Sequence, residues 1–292
     1  MAITLHASSE NVSSSSTTLT VPIRIASQAE RYLLVAVTNR DRITNVSSVY
    51  WQPTADTSGQ QALTFLGRKP HTSQMLKIEF WGLLAPTGFS VSSARVVVNF
   101  PSATNSICAR AFLLGGVDQT TPYVGYPSLA TNLVTGQGNT STDTVTLTAQ
   151  TPNSKETVVV VDQNSTSSLT DPVYIPISGQ TFLGHRYAGN TAAAYAHTGT
   201  QLKVASSATT DVLARISVVS IPRDYVIAAI PFNPSTAVAP RWIIPPTTAA
   251  PTGISFLSGT FNAVSTAEFN ATNTPGVQVG LMRQSPTQTA TY

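Results

Sequence analysis

Three short runs most constrain what this chain can fold into: Leu33-Leu34-Val35-Ala36-Val37, Arg95-Val96-Val97-Val98-Asn99-Phe100 and Thr157-Val158-Val159-Val160-Val161. Each is apolar, β-branched and bounded by turn-forming residues, the pattern of strands that are central in a sheet or buried on both faces. Thr144–Thr148 and Lys77–Trp81 alternate with period two, which predicts half-exposed strands, with Glu79 pointing outward while Phe80 points in. Val212–Val219 reads as a late strand of the same sheet system. Ser, Thr, Asn, Gly and Pro fill the intervals between runs, the turn chemistry of sandwich loops. Helical periodicity is nearly absent. The stretch Asn190–His197, around Ala192-Ala193-Ala194-Tyr195-Ala196, fits one short helix or a further strand equally well. Eight or more strands with almost no helix predict an all-β fold, an antiparallel β-sandwich of jelly-roll type.

Charge supports that reading. Only 10% of the 292 residues are charged, against roughly 25% in an average soluble domain. The polarity comes from hydroxyls and amides, which suits strands, turns and dense packing against identical copies. The net charge of +3 is too small for a nucleic-acid footprint, and Arg40/Arg42 and Arg68/Lys69 are the closest approach to clusters. Direct nucleic-acid binding is therefore not expected. Neither is a membrane span, because no run of about 18 apolar residues exists. Met1–His6 and the Ser-rich stretch after it lack the basic and apolar regions of a Sec signal, which predicts synthesis in a host cytoplasm without Sec export.

A boundary is expected near Ile221-Pro222-Arg223, dividing a sandwich over residues 1–222 from an extended arm over 223–292. In the arm Pro231, Pro234, Pro240, Pro245, Pro246 and Pro251 interrupt any ladder, since proline lacks the donor and restricts φ. Yet the arm carries large apolar side chains that a solvated linker could not bury. Trp242, Ile243, Ile244, Phe256 and Phe261 are accordingly expected to lie at an interface, on this chain's sandwich or a neighbour's.

Residues that could carry chemistry read more simply as structure. Cys108 is the single cysteine, and its neighbours alternate as a strand, so a buried structural thiol is expected. His6, His71, His185 and His197 show no metal-ligand spacing. Asp118 lies in a turn where its carboxylate is expected to accept backbone N–H bonds. Trp51, Trp81 and Trp242 are expected as core or interface anchors. A glycosidase reading of Glu79 beside Trp81 would need a second carboxylate at a set distance. No nucleophile elbow or phosphate-cradling loop occurs. The expectation is a non-enzyme with no catalytic residue, metal or cofactor.

Four segments point to a family. Val46-Ser47-Ser48-Val49-Tyr50-Trp51, then Gln60-Gln61-Ala62-Leu63-Thr64, then Ile78-Glu79-Phe80-Trp81-Gly82-Leu83, precede Ala111-Phe112-Leu113-Leu114-Gly115-Gly116-Val117-Asp118-Gln119-Thr120-Thr121-Pro122. This order resembles the β-sandwich module of Gly-Val-Asp-Gln-Thr-Thr-Pro type found in tailed-phage virion proteins and bacterial extracellular proteins. The likeness spans roughly residues 20 to 222, with the Gly116–Pro122 turn its most specific part. It implies a sandwich and a surface-structural role, with no catalytic residues to carry over. Together with the low charge and the arm, it favours a phage capsid cement or decoration protein at the virion surface. Its partners would be itself, as a homo-oligomer with a trimer first, and the major capsid or another virion protein. A major capsid protein would need a long spine helix, for which no stretch has the period. The alternative is a tail-associated or fibre protein binding a host glycan, for which Tyr123, Tyr126 and Tyr187 are candidates. A bacterial surface or filament subunit is the second alternative.

Overall fold

The computed structural model describes residues 2–25, 30–41, 43–53, 57–86, 94–126, 133–140, 144–151, 157–166, 177–188, 196–205, 207–215, 222–235, 259–260 and 289–290. Two compact units divide the chain, Met1–Ser235 and Thr236–Tyr292. Strands of the first unit are, in chain order, β1 (Thr4–Pro22), β2 (Tyr32–Asn39), β3 (Ser48–Gln52), β4 (Gln61–Ala62), β5 (Thr64–Pro70), β6 (Lys77–Leu84) and β7 (Arg95–Gly115). Next come β8 (Val134–Thr140), β9 (Thr144–Gln150), β10 (Val158–Thr166), β11 (Thr181–Ala188), β12 (Ala196–Val204), β13 (Thr209–Arg215) and β14 (Arg223–Phe232). Every pairing among them is antiparallel. The fold is an all-β sandwich.

The first sheet is organised by β7, which pairs on one edge with β1 from Thr4↔Gly115 to Pro22↔Arg95. On its other edge β7 pairs with β3 over Arg95–Asn99 and with β2 over Cys108–Leu114. A register shift opposite Ser16/Thr18 bends this long ribbon, so that Asn11 Nδ2 reaches the carbonyl of Thr20 at 2.8 Å within the same strand. The sheet curls, and β6 and β5 continue it beyond β2. The second sheet has the order β11-β12-β10-β14-β8, and β13-β9 forms a separate two-stranded sheet.

Burial explains the continuous apolar runs. Leu34, Ala36, Ile78, Phe80, Phe112 and Leu114 face the second sheet's Val158, Val160, Val226, Ala228 and Ile230 in one core. Their sequence neighbours Leu33, Val35, Val37, Trp81 and Leu113 fill a second core, inside the curl, with Trp51, Val96, Leu19 and Val21. A third core joins Val159, Val161, Ile227 and Ala229 to Leu147, Ala149, Val212 and Ala214 of the β9–β13 pair. Alternation survives, but both faces lead to apolar cores, each fully buried side chain contributing roughly 1.5–3 kcal/mol.

Four sequence expectations need adjustment. Lys77–Trp81 is buried along its whole length, and Glu79 is buried because the face it occupies lines the core inside the curl. β13 belongs to the two-stranded sheet with β9, and residues 216–219 of the expected strand lie outside the described residues. In the stretch 190–197, Ala196 and His197 open β12, and the rest lies outside the described residues. The compact unit extends beyond residue 222: β14 pairs with β10 on one side and β8 on the other, and the unit runs on to Ser235. Pro231 is tolerated inside this strand because its missing donor falls on the side away from β10, beyond the end of the β8 ladder at Ala229, where its carbonyl accepts from Val124 N at 3.0 Å. Of the second unit, Gly259–Thr260 (β15) and Thr289–Ala290 (β16) are described, paired antiparallel.

Candidate functional site

Arg110 projects from β7 into the layer between the two large sheets and is 1% exposed. Its Nε bonds Glu10 Oε2 on β1 at 3.0 Å, and its Nη1 bonds Asp162 Oδ1 on β10 at 3.3 Å. Nη2 donates to the Thr198 carbonyl on β12 at 3.0 Å and, at short range, to the Thr198 hydroxyl. Thr200 Oγ1 donates to Asp162 Oδ1 at 2.7 Å, and Arg186 on β11 bonds Glu10 Oε1 at 2.8 Å. One guanidinium thus ties two strands of the first sheet to two of the second. Only arginine presents enough donors in a fixed fork to do so. Burial pushes the Asp162 carboxyl up to about 6, against the opposing pull of Arg110. Gly184 makes the room: a Cβ there would lie 2.8 Å from Glu10 Oε2 and 3.3 Å from Arg110 Nε. Cys108, on the same strand as Arg110, is fully buried, and burial pushes its thiol up.

A second network holds the loop between β2 and β3. Lys77 Nζ lies 3.3 Å from Glu79 Oε1 and bonds the Thr44 carbonyl and Asn45 Oδ1. Glu79 Oε1 also accepts from Val46 N at 3.1 Å, and Arg68 Nη2 lies 3.6 Å from Oε2. Asp41 Oδ1 accepts from Ile43 N at 2.8 Å and Thr44 N at 3.0 Å. The buried charges therefore shape a loop whose tip, Ile43, is 74% exposed. Burial pushes the Lys77 ammonium down, and Glu79 opposes that shift.

The third arrangement involves the Gly116–Pro122 turn. Asp118 Oδ1 accepts from Thr120 N at 2.7 Å and Thr121 N at 2.8 Å, as expected for a turn aspartate. The backbone of this turn then grips the end of the first unit. Asp118 N donates to the Asn233 carbonyl at 3.0 Å, Asn233 N to the Pro122 carbonyl at 2.9 Å, and Ser235 N to the Gly116 carbonyl at 2.8 Å. Ser235 Oγ bonds Glu30 Oε1 at 2.6 Å. Gly116 must be glycine here: its φ is +72°, and a Cβ would meet the Ala2 carbonyl oxygen at 2.5 Å. The most specific motif in the sequence is thus the clamp that holds the chain after its last sandwich strand.

Among the residues singled out in sequence, Trp51 and Trp81 are buried core anchors. Tyr123 and Tyr126 are brought together, edge to face at 5.3 Å, but Tyr123 is buried against Tyr32 and Phe232. The side chain of Tyr187 lies outside the described residues, and so do Trp242, Ile243, Ile244, Phe256 and Phe261. Among the described residues no group of three or more His, Cys, Asp or Glu could hold a metal ion. No helix among them is long and apolar enough to cross a membrane. The networks around Arg110 and Lys77 were missed in sequence reading, because their partners lie up to 100 residues apart. The available signal was charge set within apolar runs, Arg110 between Ile107 and Leu114 of β7 and Lys77 and Glu79 beside Ile78 and Phe80 of β6.

Fold and site together define a class: an antiparallel β-sandwich cross-braced by buried ion pairs. No model of a known protein family matches the chain, and a search of curated proteins finds no similar one.

Proposed function

We propose that this chain is a structural protein of a virus particle, a cement or decoration protein of the tailed-phage type, acting through contacts with itself and with a major capsid or other virion protein. The observation that carries this reading is how its scarce charges are used. Arg110, Asp162, Lys77 and Glu79 are buried and engaged in ion pairs that join sheets and brace a loop. Charges held this way serve rigidity, and a rigid sandwich suits a part repeated over a particle surface. The clamp on Asn233–Ser235 adds to it, since it fixes the point from which the proline-rich apolar segment sets out. That segment, with Trp242, Ile243, Ile244, Phe256 and Phe261, is the proposed fastener to neighbouring subunits.

Quantitative mass spectrometry of particles purified from the host that carries this gene tests the reading. A cement protein should be present at hundreds of copies per particle. A few to a few dozen copies would move it to the tail, and its absence from particles would overturn the proposal.

A further inference from the structure

We infer that the outer edge of β9 is a self-association site, where a second copy of this chain adds its own β9 antiparallel about a two-fold axis at Leu147. The inference goes beyond the virion reading, since it needs nothing but a second copy.

An edge strand offers a row of unpaired N–H and C=O groups, and proteins commonly block such rows. Most edges here are blocked. β5 carries Arg68, Lys69, Pro70 and a register shift after Phe65. On β1, the side chains of Asn11, Ser13 and Ser16 bond carbonyls of their own strand, at Thr20, Ser15 and Thr18. β8 and β11, the two ends of the second sheet, are tied to the first sheet's side by Gln137 on Thr72, between β5 and β6, and by Arg186 on Glu10 of β1. β13 is capped by side chains: Gln180 donates to the Leu213 carbonyl at 2.9 Å and accepts from Leu213 N at 2.7 Å, while Lys203 Nζ bonds the Asp211 carbonyl at 2.6 Å.

Those caps reveal the geometry of β9. Since the backbone of Leu213 and Asp211 points away from β9, their partners Thr146 and Thr148 also point away from β13. The side chains of Thr146 and Thr148 are exposed, and among the described residues neither backbone has a partner on that outer side. The strand Thr-Val-Thr-Leu-Thr-Ala-Gln has no charge and no proline. It is also self-complementary. Pairing about Leu147 sets Thr146 of each copy against Thr148 of the other, as hydrogen-bonded pairs on the solvent face. Val145 then opposes Ala149, and Leu147 its own copy, on the face that carries the third core. The result is a continuous sheet β13-β9-β9-β13 across two copies. A seven-residue contact is far smaller than the roughly 1,200–2,000 Å² of a stable interface, so the pairing is weak in solution. It gains strength when many copies share one surface.

The test combines residue-level amide exchange with sedimentation of the full chain, from roughly 10 µM to 1 mM, the range of weak encounters. The amides of Thr146 and Thr148 should become protected as concentration rises. The variant T146K/T148K should raise the dissociation constant about tenfold or more, by placing like charges across the pairing. T146P should act likewise, since it removes an outward donor. Circular dichroism of both variants checks that they are folded, and if T146P is not, the lysine pair decides. Amides that exchange equally fast at all concentrations would overturn the inference even if the chain associates elsewhere. Association unchanged in the folded lysine variant would overturn it too.

Discussion

Arg110 Nη1 and Asp162 Oδ1 stand 3.3 Å apart in the layer between two sheets, although the two residues are 52 positions apart in the sequence. The pair sits where Phe112 and Val160, two positions away on each strand, meet as ordinary core residues. A buried ion pair of this kind is weak support for stability as such, because desolvation offsets much of the attraction. Its effect is on registration: a guanidinium bonded to β1, β10 and β12 at once is satisfied in one alignment of the sheets.

The pH dependence of stability should carry the mark of Asp162. Burial raises its carboxyl to about 6 in the folded chain, above the unfolded value of about 3.9. The folded state therefore holds a proton between those values that the unfolded state releases. This group's contribution is fully present below about pH 4 and is lost as pH rises through about 6, on the order of 2–3 kcal/mol over the window. In Asp162→Asn that contribution cannot titrate. Denaturation curves at pH 4 to 7 should show the variant gaining on the parent as pH rises. A difference that is constant, or moves the other way, would mean that Arg110 and not burial governs the carboxyl.

Lys77→Met should destabilise the fold by about 3–5 kcal/mol, since it leaves Glu79 buried with Arg68 as its remaining cationic partner. The double variant Lys77→Met/Glu79→Leu should recover much of that loss. Urea titrations of the three proteins measure both effects, and a neutral Lys77→Met would refute the account of the loop between β2 and β3.

Gly184→Ala should cost on the order of 1–2 kcal/mol by crowding Glu10 and Arg110. The cost should shrink when Glu10 is already alanine, because the crowded carboxylate is gone. A double-mutant cycle by thermal melting reads this coupling. Equal costs on both backgrounds would place the crowding elsewhere.

Truncation separates the sandwich from the proline-rich segment beyond it. A chain ending at Ser235 keeps β14 and its clamp and should melt cooperatively, close to the full chain. A chain ending at residue 222 loses a strand flanked on both sides, with Val226–Ile230 and Phe232 all buried, and should fail to fold. Folding of the shorter chain would show that β14 is dispensable.

Much of the fold was legible in the sequence, for reasons that particular residues make plain. Leu33–Val37 and Val158–Val161 are too apolar and too β-branched to be anything but strands covered on both faces, and Asp118 sits in a turn whose chemistry is local. The class, the central apolar strands and the turn were therefore set by the sequence alone, because propensity and hydrogen bonding within a few residues decide them. Tertiary structure decided the rest. Alternation predicts that Glu79 faces away from Phe80, but whether that other face meets water or a core depends on the curl of β1 and β7. Arg223–Phe232 contains a proline and comes just after another, which locally resembles the start of an arm. Only the vacant lane between β10 and β8 makes it a strand. Arg110 and Asp162 likewise became partners only when two sheets stacked, since a charge pair inside an apolar layer is defined by what lies across the layer, which no local pattern records.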